Sequence, residues 1–119
     1  MNSAVGLPAA ESIVCEALTW IGTPYRHQGA RKGVGCDCLG LVRGVWRAVY
    51  GEEPETPGPY ASDWAEAGGE DRLLTAARRY CLAKAKEEIV PGDLLLFRWR
   101  PNVPAKHAGI FVGERRFIH

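Results

Sequence analysis

Ile13, Val14, Ala17, Leu18 and Ile21 recur at three- and four-residue spacings, with Glu11 and Glu16 interspersed. That period draws one apolar stripe along a helix from about Pro8 to Trp20. Pro8 suits a first helical position and Gly22 a stop. The pattern then breaks. "GTPYRHQGARKGVG" is too rich in glycine for a regular element and reads as a loop. The period returns at Leu41, Val42, Val45, Trp46 and Val49, which predicts a second helix from near Cys38 to Gly51 with those side chains inward. "GEEPETPGPYASDWAEAGGE" carries prolines, glycines and acids and reads as a long surface loop, of the kind that is functional or disordered in compact domains. A third helix, roughly Glu70 to Lys84, groups Leu73, Leu74, Ala77 and Cys81 on one side.

The period then shortens. "PGD" is a turn signal before "LLLFRW", a short apolar run suited to a buried strand. "HAGIFVG" reads as a second strand, and Glu114-Arg115 as a tight turn into a third, "RFIH". Helices first and antiparallel strands after predict an α+β domain. At 119 residues the chain fits one domain over 1–119, large enough to fold on its own core.

Composition narrows the function classes. The formal charge is +1 and no basic stripe stands out, which argues against nucleic acid as a partner. The opening "MNSAVGLPAAESIVCEALTWIG" lacks a basic leader followed by an unbroken apolar stretch. It therefore predicts neither a signal peptide nor a membrane span, and places synthesis in the cytoplasm. Of the four cysteines, Cys15 and Cys81 fall among apolar neighbours in helical patterns, where a thiol packs as a small hydrophobe. Without a secretory leader, a disulfide framework is disfavoured.

The chemistry concentrates in "GVGCDCLGLVRGVW". Cys38 stands at the predicted start of the second helix, and a helix N-terminus favours a thiolate. Gly33 and Gly35 leave room for a substrate backbone beside the sulfur. The unpaired N–H of Cys38 is available to a developing oxyanion. A base is required, and the histidines are His27, His107 and His119. His107 opens one strand and His119 closes the next, so a hairpin sets them opposite or nearly so, with the turn blurring a simple same-face count. Cysteine, base and orienting group form a nucleophile–base–orienter set. His27, in the loop, reads as a surface or substrate-edge residue. Cys36 reads as a neighbour of the nucleophile without an assigned role.

"WIGTPYRHQG", "GCDCLGLV", "PGDLLLF", "HAGIFVG" and "RFIH", in this order, resemble the NlpC-like cell-wall peptidases, papain-like cysteine enzymes that cut peptidoglycan stem peptides. "DWAEAGGEDRLL" and "DCLG" further resemble the phage-tail and gene-transfer-agent branch. The resemblance implies Cys38 as nucleophile, His107 as general base and His119 as the residue orienting it. Paired in this way, Cys38 is expected to have a lowered pKa. It implies Tyr25 as a residue lining the site and helping at the oxyanion, and Asp37 as a contact to the amino end of the stem peptide. The implied bond is the amide between γ-D-glutamate and a diamino acid, cut through a thioester without metal or other cofactor. Peptidoglycan stem peptides and phage-tail or gene-transfer-agent proteins are the implied partners, with action at the cell wall.

Two departures stand out. Leu39 occupies the position after the nucleophile where the family commonly has Ser. Relatives also continue for a strand or more beyond the last histidine, so the domain reads as shortened at its C-terminal side. Two other readings stay open. One is a peptidoglycan-binding or tail component that keeps the fold without turnover. The other is a zinc module on Cys36, Cys38 and a histidine, which the one-residue Cys spacing disfavours.

Overall fold

The computed structural model describes residues 6–53, 72–98 and 100–119. Its order is α1 (Gly6–Leu18), β1 (Ala30–Arg31), β2 (Gly35–Cys36), α2 (Cys38–Tyr50), α3 (Arg72–Tyr80), a 3-10 turn (Lys86–Glu88), β3 (Leu94–Phe97), β4 (His107–Gly113) and β5 (Arg116–Ile118). The strands β3, β4 and β5 form an antiparallel sheet in that order, and α1 and α2 pack on β4. The α+β expectation holds. Most of the acidic, Pro- and Gly-rich loop lies outside the described residues, as do Trp99 and the predicted start of the third helix.

α2 is closed at both ends by its own sequence. Asp37 is the N-cap in extended conformation, and its carboxylate accepts the Gly40 N–H at 2.7 Å. Gly51 is the left-handed C-cap, φ 91°, with its N–H on the Arg47 carbonyl. Leu41 and Val45 point from α2 into a core with Ala17, Trp20 and Ile110, and Cys36 packs against its rim. A second cluster, Leu73, Ala105 and Ala108, gathers Cys38, Leu39, Val42, Leu94 and Leu96. Beyond the core, Glu53 joins Arg43 and Arg47, and Arg47 also donates to the Ala30 carbonyl, which ties α2 to β1.

Several expectations need correction. The α1 stripe breaks at the helix end: Leu18, its last residue, is exposed and Ile21 is 66% exposed, while Trp20 is buried. Tight bonds from Thr19 N–H to the Glu16 carbonyl and from Trp20 N–H to the Ala17 carbonyl rotate the chain out of helical phase. Trp20 then swings over Gly44, where a Cβ would strike its ring. Cys15 is exposed instead of packed, and all four cysteines are free. The third helix stops at Tyr80, and Cys81 lies half-buried beyond it. Four residues past that end, Lys84 is held in an ion pair with Asp93 at 2.9 Å.

The glycine-rich segment also contains regular structure. β1 and β2 pair antiparallel, and Tyr25 forms a parallel bridge with Cys36. Gly35 is a packing position rather than substrate space, whereas Gly33 is open to solvent. A Cβ on Gly35 would enter the Arg26 side chain at 2.6 Å, and Gly33 sits in a turn at φ 77°. The whole segment is pressed onto the start of α2, with a Cβ on Gly40 overlapping the Gly29 carbonyl.

Candidate active site

The two strand histidines meet. His107 Nε2 lies 3.0 Å from His119 Nδ1, with the rings edge to face at 5.1 Å between centroids. The local sequence arranges this in two steps. Glu114 and Arg115 both take positive φ, 55° and 62°, the conformation of the tight turn that matches strand twist. A register shift then separates the pair Gly113–Arg116 from Phe111–Phe117 and Ile110–Ile118. Without that bulge His119 would fall across from Ile110, on the face packed against the helices. With it, His119 falls across from Gly109 and shares a face with His107, in diagonal reach. Phe97 and Phe117 flank the pair, at 5.9 Å from His107 and 4.9 Å from His119.

Cys38 is the first residue of α2, as expected, and its half-buried thiol belongs to the cluster with Ala105 and Ala108. Burial first, and the Asp37 carboxylate as well, push this thiol above the usual value. Backbone N–H groups of Ala108, Leu39 and Cys38 itself pull the other way without prevailing. The expectation of a lowered value is therefore reversed in the resting state. Helix position favours the thiolate, but the apolar wall around it opposes charge more strongly. The Ala108 N–H that favours the charge of this thiol is one residue from His107 on β4. Burial, then the neighbouring His119, hold the His107 imidazole below its usual value. The resting pair is thus a neutral thiol beside a neutral imidazole.

The other site residues fall into place unevenly. Tyr25 is 74% exposed, with its backbone bridged to Cys36 two residues before Cys38. Asp37 is only 8% exposed. Its Oδ1 accepts from Gly40 N–H and its Oδ2 from Gln28 N–H at 2.8 Å, with His27 Nδ1 4.0 Å from Oδ2. Cys36 and Cys38 face different clusters, which separates the pair a zinc clip would need. Among the described residues no three His, Cys, Asp or Glu side chains converge as a metal site. Leu39 packs with Leu73 and Ala105, so its side chain serves the core. Sequence reasoning missed the Ala108 N–H, a backbone group with no signature, and the His27–Gln28 contact to Asp37. The "HQ" pair could have signalled the latter only through its place before the "DC" step.

A helix-borne cysteine, a histidine on β4 paired with one just past β5, and a shared antiparallel sheet define the papain-like class of α+β domain. The particular family follows from comparison: residues 22–119 match the NlpC/P60 family, and the chain belongs to it. It is 33% identical over 106 residues to the Gamma-DL-glutamyl hydrolase of Bacillus subtilis (strain 168), covering 89% of this chain and 22% of that protein. It is 27% identical over 107 residues to the Murein DD-endopeptidase MepS/Murein LD-carboxypeptidase of Escherichia coli (strain K12), covering 90% of this chain and 47% of that protein. The chain thus spans less than half the length of these curated relatives. The NlpC/p60 domain of the peptidoglycan hydrolase SagA superposes with a TM-score of 0.59 at 28% identity, over 92% of this chain and 78% of that one. Among the described residues no helix is long and apolar enough to cross a membrane.

Proposed function

We propose that this domain hydrolyses an amide bond in peptidoglycan stem peptides, with Cys38 as nucleophile, His107 as base and His119 orienting His107. The observation that carries the reading is the 3.0 Å contact from His107 Nε2 to His119 Nδ1, beside the helix start that bears Cys38. That contact commits Nε2 and leaves Nδ1 as the nitrogen for the thiol.

The neutral resting pair sets the order of events. The thiol proton passes to His107 as sulfur attacks the carbonyl carbon; catalytic hydrogen bonds commonly tighten only at this stage. The N–H groups of Cys38 and Leu39 at the helix start face the developing oxyanion. The C–N bond breaks as the imidazolium protonates the leaving amine. Water, deprotonated by His107, then cleaves the thioester. Exposed Tyr25 lines the substrate side.

The finer assignment rests on sequence resemblance and on relatives with hydrolase and endopeptidase names. It comprises a γ-D-glutamyl–diamino acid bond, action at the cell wall and membership of the phage-tail branch. The test is release of peptide fragments from purified sacculi, read by mass spectrometry. Cys38→Ala is expected to abolish release, and equal release by that variant refutes the mechanism. A second reading, a wall-binding component without turnover, draws on the burial that holds the Cys38 thiol above its usual value. Sacculus binding without fragments from the parent protein would favour it.

A further inference from the structure

On the sheet face that carries the histidine pair, four rings close a circuit. Phe97 of β3 lies directly across from His107, with 5.9 Å between ring centroids, and His107 meets His119 at 5.1 Å. His119 meets Phe117 at 4.9 Å, and Phe117 returns to Phe97, also at 4.9 Å. That last contact joins two strands that are not neighbours, because β4 runs between β3 and β5. Gly109 of β4 permits it. A Cβ there would lie 2.7 Å from Phe117 Cδ2 and 3.2 Å from Cε2, so the ring occupies the space a side chain would take. The backbone of Phe117 pairs with Phe111, yet its ring lies over Gly109, two residues nearer to His107. His119 lies one residue past β5, so its placement depends on side-chain contacts more than on the strand ladder. A flanking ring in offset or edge contact biases such a side chain by about two- to tenfold.

We infer that Phe97, Phe117 and Gly109 are positioning residues for the hydrolytic site: the two phenyl rings meet over Gly109 and brace His119 against His107. The brace keeps the proton of neutral His107 on Nε2, donated to His119 Nδ1 at 3.0 Å, and leaves Nδ1 open to the thiol. The three residues act through the histidines, by holding one ring orientation and one tautomer. The inference rests on the hydrolase reading above.

The test is Phe117→Leu, which keeps an apolar side chain and removes the ring, with Phe117→Tyr restoring a ring. Two readouts are taken on folded protein at neutral pH: the imidazole nitrogen chemical shifts by NMR, and the steady-state cleavage of a soluble stem peptide. The parent is expected to show His107 as a single Nε2–H tautomer, Phe117→Leu an averaged pair, and Phe117→Tyr the parent's signals. In Phe117→Leu kcat is expected to fall about fivefold with KM within about twofold, and Phe117→Tyr to recover it. Gly109→Ala keeps every ring but displaces Phe117, and the same signature is expected. Should Gly109→Ala not fold, Phe97→Leu, which opens the circuit on its other side, takes its place with the same expectation. A brace that served the fold alone would lower the urea midpoint and leave both the tautomer and kcat of folded protein unchanged, and that result overturns the inference. An averaged tautomer in the parent overturns it as well. A tautomer lost in Phe117→Leu, with no cleavage by the parent, removes the hydrolase reading and keeps the brace. A tautomer retained in Phe117→Leu, with cleavage by the parent intact, overturns the brace alone.

Discussion

Gly40→Ala is the sharpest test of how the site is built, because two effects predict opposite signs. Gly40 lies within α2, where replacing Gly by Ala should stabilise by about 1 kcal/mol on helix propensity alone. A Cβ there would overlap the Gly29 carbonyl oxygen, with the Gly29 carbonyl carbon at 2.7 Å and Ala30 Cα at 3.1 Å. Every one of those atoms is backbone, so no side chain can rotate away. The Gly29–Ala30 segment would have to recede, pulling its carbonyl from the Asp37 N–H, now at 3.2 Å, and dragging the Gln28 N–H from Asp37. Overpacking costs about 1–3 kcal/mol and a lost buried hydrogen bond about 1–3 more. After the propensity gain, the net expectation is a loss of about 3 kcal/mol. Urea unfolding followed by tryptophan fluorescence should show the midpoint lowered by about 1–3 M. Ala48→Gly, exposed on the same helix, serves as the propensity control and should cost about 1 kcal/mol. A Gly40→Ala midpoint at or above the parent's would refute the close approach of loop and helix.

Other outcomes follow from the same contacts. Iodoacetamide at neutral pH should label exposed Cys15 first and reach Cys38 only at more alkaline pH than a free thiol needs, read by peptide mass spectrometry. Because the folded state holds His107 below its usual value, its stability contribution is complete above about pH 6.5 and is lost as pH falls below that. His107→Gln should flatten the stability profile there, measured by urea unfolding at several pH values. At Glu53 burial raises the carboxyl, but Arg43 and Arg47 outweigh it and hold it below its usual value, so this support is lost as pH falls below 4.5. Glu53→Gln should cost about 1–3 kcal/mol at pH 7 and lower the thermal midpoint.

Elements that carry strong local codes were legible along the chain. The period of Leu41, Val42, Val45 and Val49, with Asp37 and Gly51 at the ends, defines α2 because capping and amphipathicity are local. "HAGIFVG" matches β4 residue for residue, and Glu114-Arg115 is the turn expected. Cys38 at a helix start, His107 opening a strand and His119 at the end of the next were legible for the same reason. Other features depended on parts of the chain far apart in sequence. The face on which His119 lies was decided by a bulge in the pairing of β4 with β5, which the even spacing of the two histidines cannot reveal. Trp20 is buried and Leu18 exposed because Gly44, on another helix, offers the space. The state of the Cys38 thiol was decided by the apolar wall from Ala105 and Ala108, which outweighs the helix terminus. Helix periods and caps act over a few residues, whereas burial and register are set by neighbours that only folding brings together.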